Sequence, residues 1–174
     1  GLFYKFGKGE KLVLQGFCDS DYNSDPDNRV STTGYVFKLG GRTITWNCMK
    51  QKSTALSTTE AEYMALCEAA KESVWLIRFL EELQFKQNTV TIFEDNKGAI
   101  ALSKNPVNHK RNKHIDVRYH YTRKLVEDGL IEIKYLRTDQ MIADLLTKPV
   151  SKKQFETLID PLCGTWTPKI EETD

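Results

Sequence analysis

A long helix framed by strands constrains this chain most. Ser57-Thr58-Thr59-Glu60 is a capping box, in which a hydroxyl accepts from a free backbone N–H while Glu60 reaches back to another. Tyr63, Leu66, Cys67, Ala70, Val74 and Ile77 follow at helical spacing, and neither Gly nor Pro interrupts the run to about Leu83. Three strand-like runs precede it: Leu12–Asp19, Gly34–Leu39 with Tyr35, Phe37 and Leu39 on one side, and Arg42–Asn47 with Ile44 and Trp46. Gly40-Gly41 accept the positive φ of a tight turn, so the second and third runs form an antiparallel hairpin. A fourth strand, Thr89–Glu94, lies beyond the helix and is entered by a crossover. The sheet is therefore mixed, with the fourth strand parallel to the first or to its neighbour.

After Asp95-Asn96 a short helical stretch runs to Ser103 and ends at Asn105-Pro106. His114–Glu127 reads as a helix stopped by Gly129, and Leu130–Leu136 alternates as a fifth strand. Gln140–Thr147 fits a short helix closed by Pro149. The predicted order is β β β α β α α β α, an α/β class. With 174 residues and 40% hydrophobic content the chain supports one domain. We place it at 12–160, with a linker at 1–11 and a tail at 161–174 whose polar end, Gly164–Asp174, is expected to fray. The start without Met fits an excised fragment.

Cys18, Cys48, Cys67 and Cys163 form no C-x-x-C pair, which argues against a zinc knuckle or a dense disulfide framework and for a reducing, intracellular setting. No apolar run approaches the ~20 residues of a membrane helix, and the N-terminus lacks a signal-peptide layout. No membrane association is expected.

Four acids fall at informative places. Asp19 closes the first strand, Glu62 lies near the start of the long helix, Asp95 follows the fourth strand, and Asp144 lies in the last short helix. If the first and fourth strands are parallel neighbours, Asp19 and Asp95 emerge at the same carboxyl edge, where open α/β sheets place ligands. Converging carboxylates repel and are costly to desolvate, and a hard divalent cation such as Mg²⁺ or Mn²⁺ relieves both. Two such ions support water attack on a phosphodiester without a nucleophilic side chain. Each acid alone also has a plain structural reading: a turn or cap residue for Asp19 and Asp95, a solvated helix acid for Glu62, a first-turn acid for Asp144. Spacing by itself leaves the four-acid site as one reading among several.

The chain resembles the ribonuclease H domain at the C-terminal end of the polyprotein of copia-type LTR retrotransposons. The resemblance rests on Gly16-Phe17-Cys18-Asp19-Ser20-Asp21-Tyr22, Ser31-Thr32-Thr33-Gly34-Tyr35, Ile44-Thr45-Trp46 and the run from Ala55 to Tyr63. It continues through Glu94-Asp95-Asn96, Asn105-Pro106, Lys113-His114-Ile115-Asp116, Ala143-Asp144 and Thr147-Lys148-Pro149. It implies a ribonuclease H-like fold, a five-stranded mixed sheet in the order 3-2-1-4-5 with helices on both faces. It also implies that Asp19, Glu62, Asp95 and Asp144 are the catalytic, metal-binding set, holding two Mg²⁺ ions for which Mn²⁺ substitutes and cutting the RNA strand of an RNA·DNA hybrid. Glu60 is absorbed by the capping box, and Asp21 is a candidate to support the ligands from behind. The implied partner is an upstream reverse transcriptase domain of the same polyprotein, and the implied location is cytoplasmic, in virus-like particles. One departure concerns the loop before the last acid. Many ribonucleases H carry a His there, whereas this loop reads Arg137-Thr138-Asp139-Gln140-Met141-Ile142. Whether His109, His114 or His120 substitutes is left open.

Net charge is only +1, from 25 Lys and Arg against 24 Asp and Glu, but it is unevenly spread. Lys104–Lys124 carries seven basic residues and one acid, and Arg42–Ser53 three basic residues and none, together +9 against −8 elsewhere. Lys50, Lys52, Lys110, Arg111 and Lys113 are candidate phosphate contacts. Asn96, beside Asp95, is a candidate to sense a 2′-hydroxyl or else the N-cap of the short helix. Trp46 and Tyr35 are expected in the sheet core. The missing His and the linker-like N-terminus also suit a weakly catalytic hybrid-binding module that positions nucleic acid for a partner polymerase. An integrase or transposase core fits less well, because those usually end their acid set on a Glu in a long helix.

Overall fold

Leu14–Asp21 (β1) is the middle strand of a five-stranded sheet, and its sequence shows why: Leu14, Phe17, Cys18 and Asp19 are all fully buried, so both faces are covered. The computed structural model describes residues 1, 2, 4, 12–23, 27, 29–104, 113–164, 166 and 168, and their side chains except at 113–119. Thr32–Leu39 (β2) pairs antiparallel with β1, and Arg42–Lys50 (β3) antiparallel with β2. Gly40 and Gly41, at φ of 56° and 76°, make the hairpin between them. Val90–Glu94 (β4) lies parallel to β1, and Ile131–Tyr135 (β5) parallel to β4, giving the order β3-β2-β1-β4-β5.

Between β3 and β4 runs Thr58–Glu82 (α1). Ser57 caps it by accepting from the Glu60 N–H at 3.1 Å, while the Glu60 carboxylate accepts from the Leu56 N–H, one residue further back than the expected partner. Its buried stripe of Ala61, Ala65, Leu66, Ala69, Ala70, Leu76 and Leu80 is rich in small residues that let the helix sit close on the sheet. Lys97–Lys104 (α2) and Lys113–Glu127 (α3) cross over to β5, and Gly129 at φ 70° ends α3. These helices and one sheet face share a core of Leu14, Cys18, Phe37, Leu66, Ile92 and Ile133. On the other face Phe17, Val36, Phe93, Met141 and Ile142 form a second core.

Several expectations are corrected. The segment Gln140–Thr147 is not one helix: a 3₁₀ turn at Thr138–Gln140 is followed by Asp144–Thr147 (α4). Trp46 is 54% exposed, because β3 is an edge strand whose face is only partly covered beside Leu146 and Leu162, whereas Tyr35 is buried as expected. A further helix, Lys152–Cys163 (α5), capped by Ser151, was not anticipated, and it runs across the boundary drawn at residue 160. The residues after that boundary pack onto the domain. Lys38, buried in β2, donates to the carbonyls of Pro161 and Gly164, the Thr43 hydroxyl donates to Leu162 O at 2.5 Å, and Trp166 packs against Phe17 at 5.8 Å. Of the linker at 1–11, residues 3 and 5–11 lie outside the described residues; Tyr4 donates to Thr43 O.

Candidate active site

The parallel β1/β4 register pairs Phe17 with Phe93, and continuing it two residues brings Asp19 level with Asp95. Strand alternation sends Phe17 and Asp19 to the same face, the one covered by α4 and α5. Glu62 arrives from the opposite face on the second turn of α1, where its Oε2 accepts from the Ser20 N–H at 2.8 Å. One oxygen each from Asp19, Glu62 and Asp95 lie within 4.8 Å of one another. These carboxylates come from three separate elements.

Asp144 stands beside this group. As the first residue of α4, it is fully buried and accepts from Gln154 Nε2 of α5 at 3.0 Å. Between Asp144 and Asp19 lies the ammonium of Lys148, 3.1 Å from one carboxylate and 3.2 Å from the other. Thr147 donates its hydroxyl to the second oxygen of Asp19. The approach of α4 to β1 requires Gly34, which faces Asp19 across the β1/β2 ladder. A Cβ there would meet Thr147 Cγ2 at 2.6 Å and Leu146 Cβ at 3.1 Å.

Burial and crowding raise the proton affinity of Glu62, Asp144 and Asp19. Burial, then the charges of Glu94, Asp19 and Asp95, pushes Glu62 up to about 10, and burial together with Asp19 pushes Asp144 up to about 7. Burial also raises Asp19, against the opposing pull of Lys148 and Thr147. Burial opposes the charge of Lys148, yet Asp19 and Asp144 hold it above the ordinary ammonium range. Beneath the group, burial pushes the fully enclosed Glu94 well up; its carboxyl receives the Asn96 N–H at 3.0 Å and the Cys18 thiol at 3.3 Å. A set of acids that resists joint ionisation is the donor chemistry a hard divalent cation satisfies.

The other candidates separate. Asn96 caps α2, its Oδ1 accepting from the Ala99 N–H at 3.0 Å. Asp21, the last residue of β1, takes no part in the hydrogen bonds of the acid cluster among the described residues. Lys50 and Lys52 are exposed and, with Lys71, Gln51 and Thr33, line a cleft of about 290 Å³ between β3 and α1. Lys110, Arg111 and His109 lie outside the described residues, as do the side chains of Lys113 and His114; His120 is exposed on α3. In the loop without His, the Thr138 hydroxyl donates to Asp95 at 2.7 Å. Lys148, Thr147, Gln154 and Glu94 were not singled out from sequence as site residues. The signal for Lys148 was its spacing of four from Asp144, which puts two side chains on one side of a helical turn.

No protein-family model matches the chain. It is 47% identical over 148 residues to the retrovirus-related Pol polyprotein of transposon TNT 1-94 from Nicotiana tabacum, covering 85% of this chain and 11% of that protein. It is 38% identical over 169 residues to the retrovirus-related Pol polyprotein of transposon RE1 from Arabidopsis thaliana, covering 97% of this chain and 11% of that protein. It is also 30% identical over 146 residues to the Ty1-NL2 Gag-Pol polyprotein of Saccharomyces cerevisiae, covering 83% of this chain and 8% of that protein. The chain thus spans about a tenth of the length of these relatives. Among solved structures, the N-terminal ribonuclease H domain of a Mycobacterium tuberculosis protein superposes with a TM-score of 0.58 at 12% identity, over 86% of this chain and 96% of that one. A ribonuclease H1 isolated from compost by a metagenomic approach gives a TM-score of 0.59 at 15% identity, over 78% and 93%. Described helices include none long and apolar enough to cross a membrane. The chain is therefore similar over most of its length to a segment of the Pol polyproteins of retrovirus-related transposons, and it has the ribonuclease H fold.

Proposed function

We propose that this domain is a metal-dependent endonuclease that hydrolyses the RNA strand of RNA·DNA hybrids during reverse transcription of a copia-type retrotransposon. The observation that carries the reading is the convergence of Asp19, Glu62 and Asp95 within 4.8 Å at the carboxyl edge of the sheet, with Asp144 beside them. Asp19, Glu62, Asp95 and Asp144 would hold two Mg²⁺ ions, or Mn²⁺ in their place, which would supply Lewis acidity toward the attacking water and the departing oxygen. The protein's own part is positional. Ser20 N–H fixes Glu62, Thr147 and Lys148 fix Asp19, Thr138 fixes Asp95 and Gln154 fixes Asp144, so the ligands are oriented before substrate arrives. Lys50 and Lys52, with the basic Lys104–Lys124 segment, contact phosphates without reading sequence, and Asn96 meets the RNA strand near Asp95. The partner in the same polyprotein is the reverse transcriptase region.

The test is cleavage of a labelled RNA·DNA hybrid, beside RNA·RNA and DNA·DNA controls, with and without Mg²⁺. Cleavage should be confined to the hybrid's RNA strand. Asp95→Asn should lower the rate by roughly a hundredfold or more, since one carboxylate serves both metal placement and water activation. Undiminished cleavage by that variant would remove the assignment. Salt-dependent binding with no cleavage in Mg²⁺ or Mn²⁺ would mark a hybrid-binding module instead.

A further inference from the structure

The four acids are not equivalent in what balances their charge. Asp19, Glu62 and Asp95 face one another with no ammonium or guanidinium bonded to Glu62 or Asp95 among the described residues, whereas the gap between Asp19 and Asp144 holds the Lys148 ammonium. The local sequence enforces that placement. Pro149 disfavours helical geometry at the residue before it, so α4 stops after four residues and Lys148 turns out at φ −139°, ψ 152°. Its side chain, only 30% exposed, folds back over the turn to reach both carboxylates.

From this geometry we infer that Lys148 is a resident cation in the position between Asp19 and Asp144, so that the site binds one divalent ion readily at Asp19, Glu62 and Asp95 and a second only when Lys148 moves aside. The inference rests on reading the four acids as metal ligands. Two positive charges cannot share the same pair of oxygens without a large repulsion, so the ammonium competes directly with a second ion. Once displaced, Lys148 stays tethered at the edge of the site by the backbone that follows α4. Lys148 is thus a positioning residue that ties filling of the second position to a side-chain movement.

The experiment is a titration of Mn²⁺ into the metal-free protein, followed by the electron paramagnetic resonance of free Mn²⁺ and by calorimetry. Wild-type chain should bind one ion in a tight class and a second far more weakly. Lys148→Met should tighten the second ion by about tenfold or more, because a unit charge some 3 Å from the ligands is gone. Lys148→Arg keeps the charge and should behave as wild type. Asp144→Asn, which leaves Lys148 its Asp19 partner, should abolish the second class and spare the first, giving an independent reading if Lys148→Met does not fold. Two equal classes in wild type, an unaltered second class in Lys148→Met, or loss of the tight class in Asp144→Asn would each overturn the inference. If none of the folded chains binds Mn²⁺, the metal-centre reading itself falls. Hybrid cleavage by wild type, measured separately, tells these failures apart.

Discussion

At the scale of single residues, the buried acids of this site conflict with one another, a conflict that a bound cation would relieve. Glu62 at about 10 and Asp144 at about 7 lie above the ordinary carboxylate values of 4.5 and 3.8, so the metal-free folded chain binds more protons than the unfolded chain. Their stabilising effect is complete below those ordinary values and is lost as pH rises, with the Asp144 part gone near 7 and the Glu62 part continuing to about 10. Melting of the chelator-treated protein between roughly pH 5 and pH 9 should therefore give a falling Tm, and saturating Mg²⁺ should flatten the slope. A Tm that rises with pH in the absence of metal would contradict the burial described above. Asp19, Glu62, Asp95 and Asp144 stood out in the sequence as acids near strand ends and in helices, and their reading as one set came from the family resemblance. What was not legible is which residues hold them, because Lys148, Thr147, Ser20 and Gln154 act across the fold through contacts that no local spacing displays.

At the scale of elements, the placement of Asp144 depends on two packings. The first is α4 against Gly34. Gly34→Ala pushes a methyl into Thr147 and Leu146, and should cost about 1–3 kcal/mol by thermal melting while lowering cleavage further than that loss alone explains. Stability and activity both unchanged would mean that α4 does not need this close approach. The second packing is α5, which brings Gln154 to Asp144 and is anchored by Lys38 beneath its last turn. Burial lowers the Lys38 ammonium to about 8, against a small opposing pull from Cys163, and two helix-end carbonyls receive its protons. Truncation after Asp160 removes Leu162 and Trp166 and should destabilise the domain by about 2 kcal/mol or more, read as a lower midpoint in denaturant. The helix escaped the sequence reading because Pro161 and the Lys152-Lys153 pair suggest a polar, broken segment. Phe155, Leu158, Ile159 and Leu162 nonetheless carry helical spacing, with Pro161 inside the last turn.

For the whole molecule, near-neutrality conceals a separation of charge between basic segments and an acidic centre. Lys50 and Lys52 lie on the cleft between β3 and α1, while the acids lie at the edge of the sheet. Hybrid affinity should fall steeply with salt, and Lys50→Ala/Lys52→Ala should reduce the slope of log affinity against log salt by about 1–2 without changing any preference for base sequence. A slope equal to wild type would place the substrate elsewhere.

Sequence alone determined the strand runs, the β2–β3 hairpin, a crossover into a mixed sheet and the capped long helix, while the strand order and the grouping of the four acids came with the resemblance to copia-type ribonuclease H domains. The runs, hairpin, crossover and helix follow from local period, turn chemistry and the connection rules of α/β sheets, each written in neighbouring residues. Tertiary structure alone decided that three carboxylates meet within 4.8 Å while the fourth is joined to them through an ammonium. It also decided that Trp46 faces solvent and that residues past 160 close the second core. The physical reason is that Asp19, Asp144 and Lys148 come together through the docking of α4 on β1 and β2, a contact between segments more than a hundred residues apart, and only packing sets which charges end up facing one another.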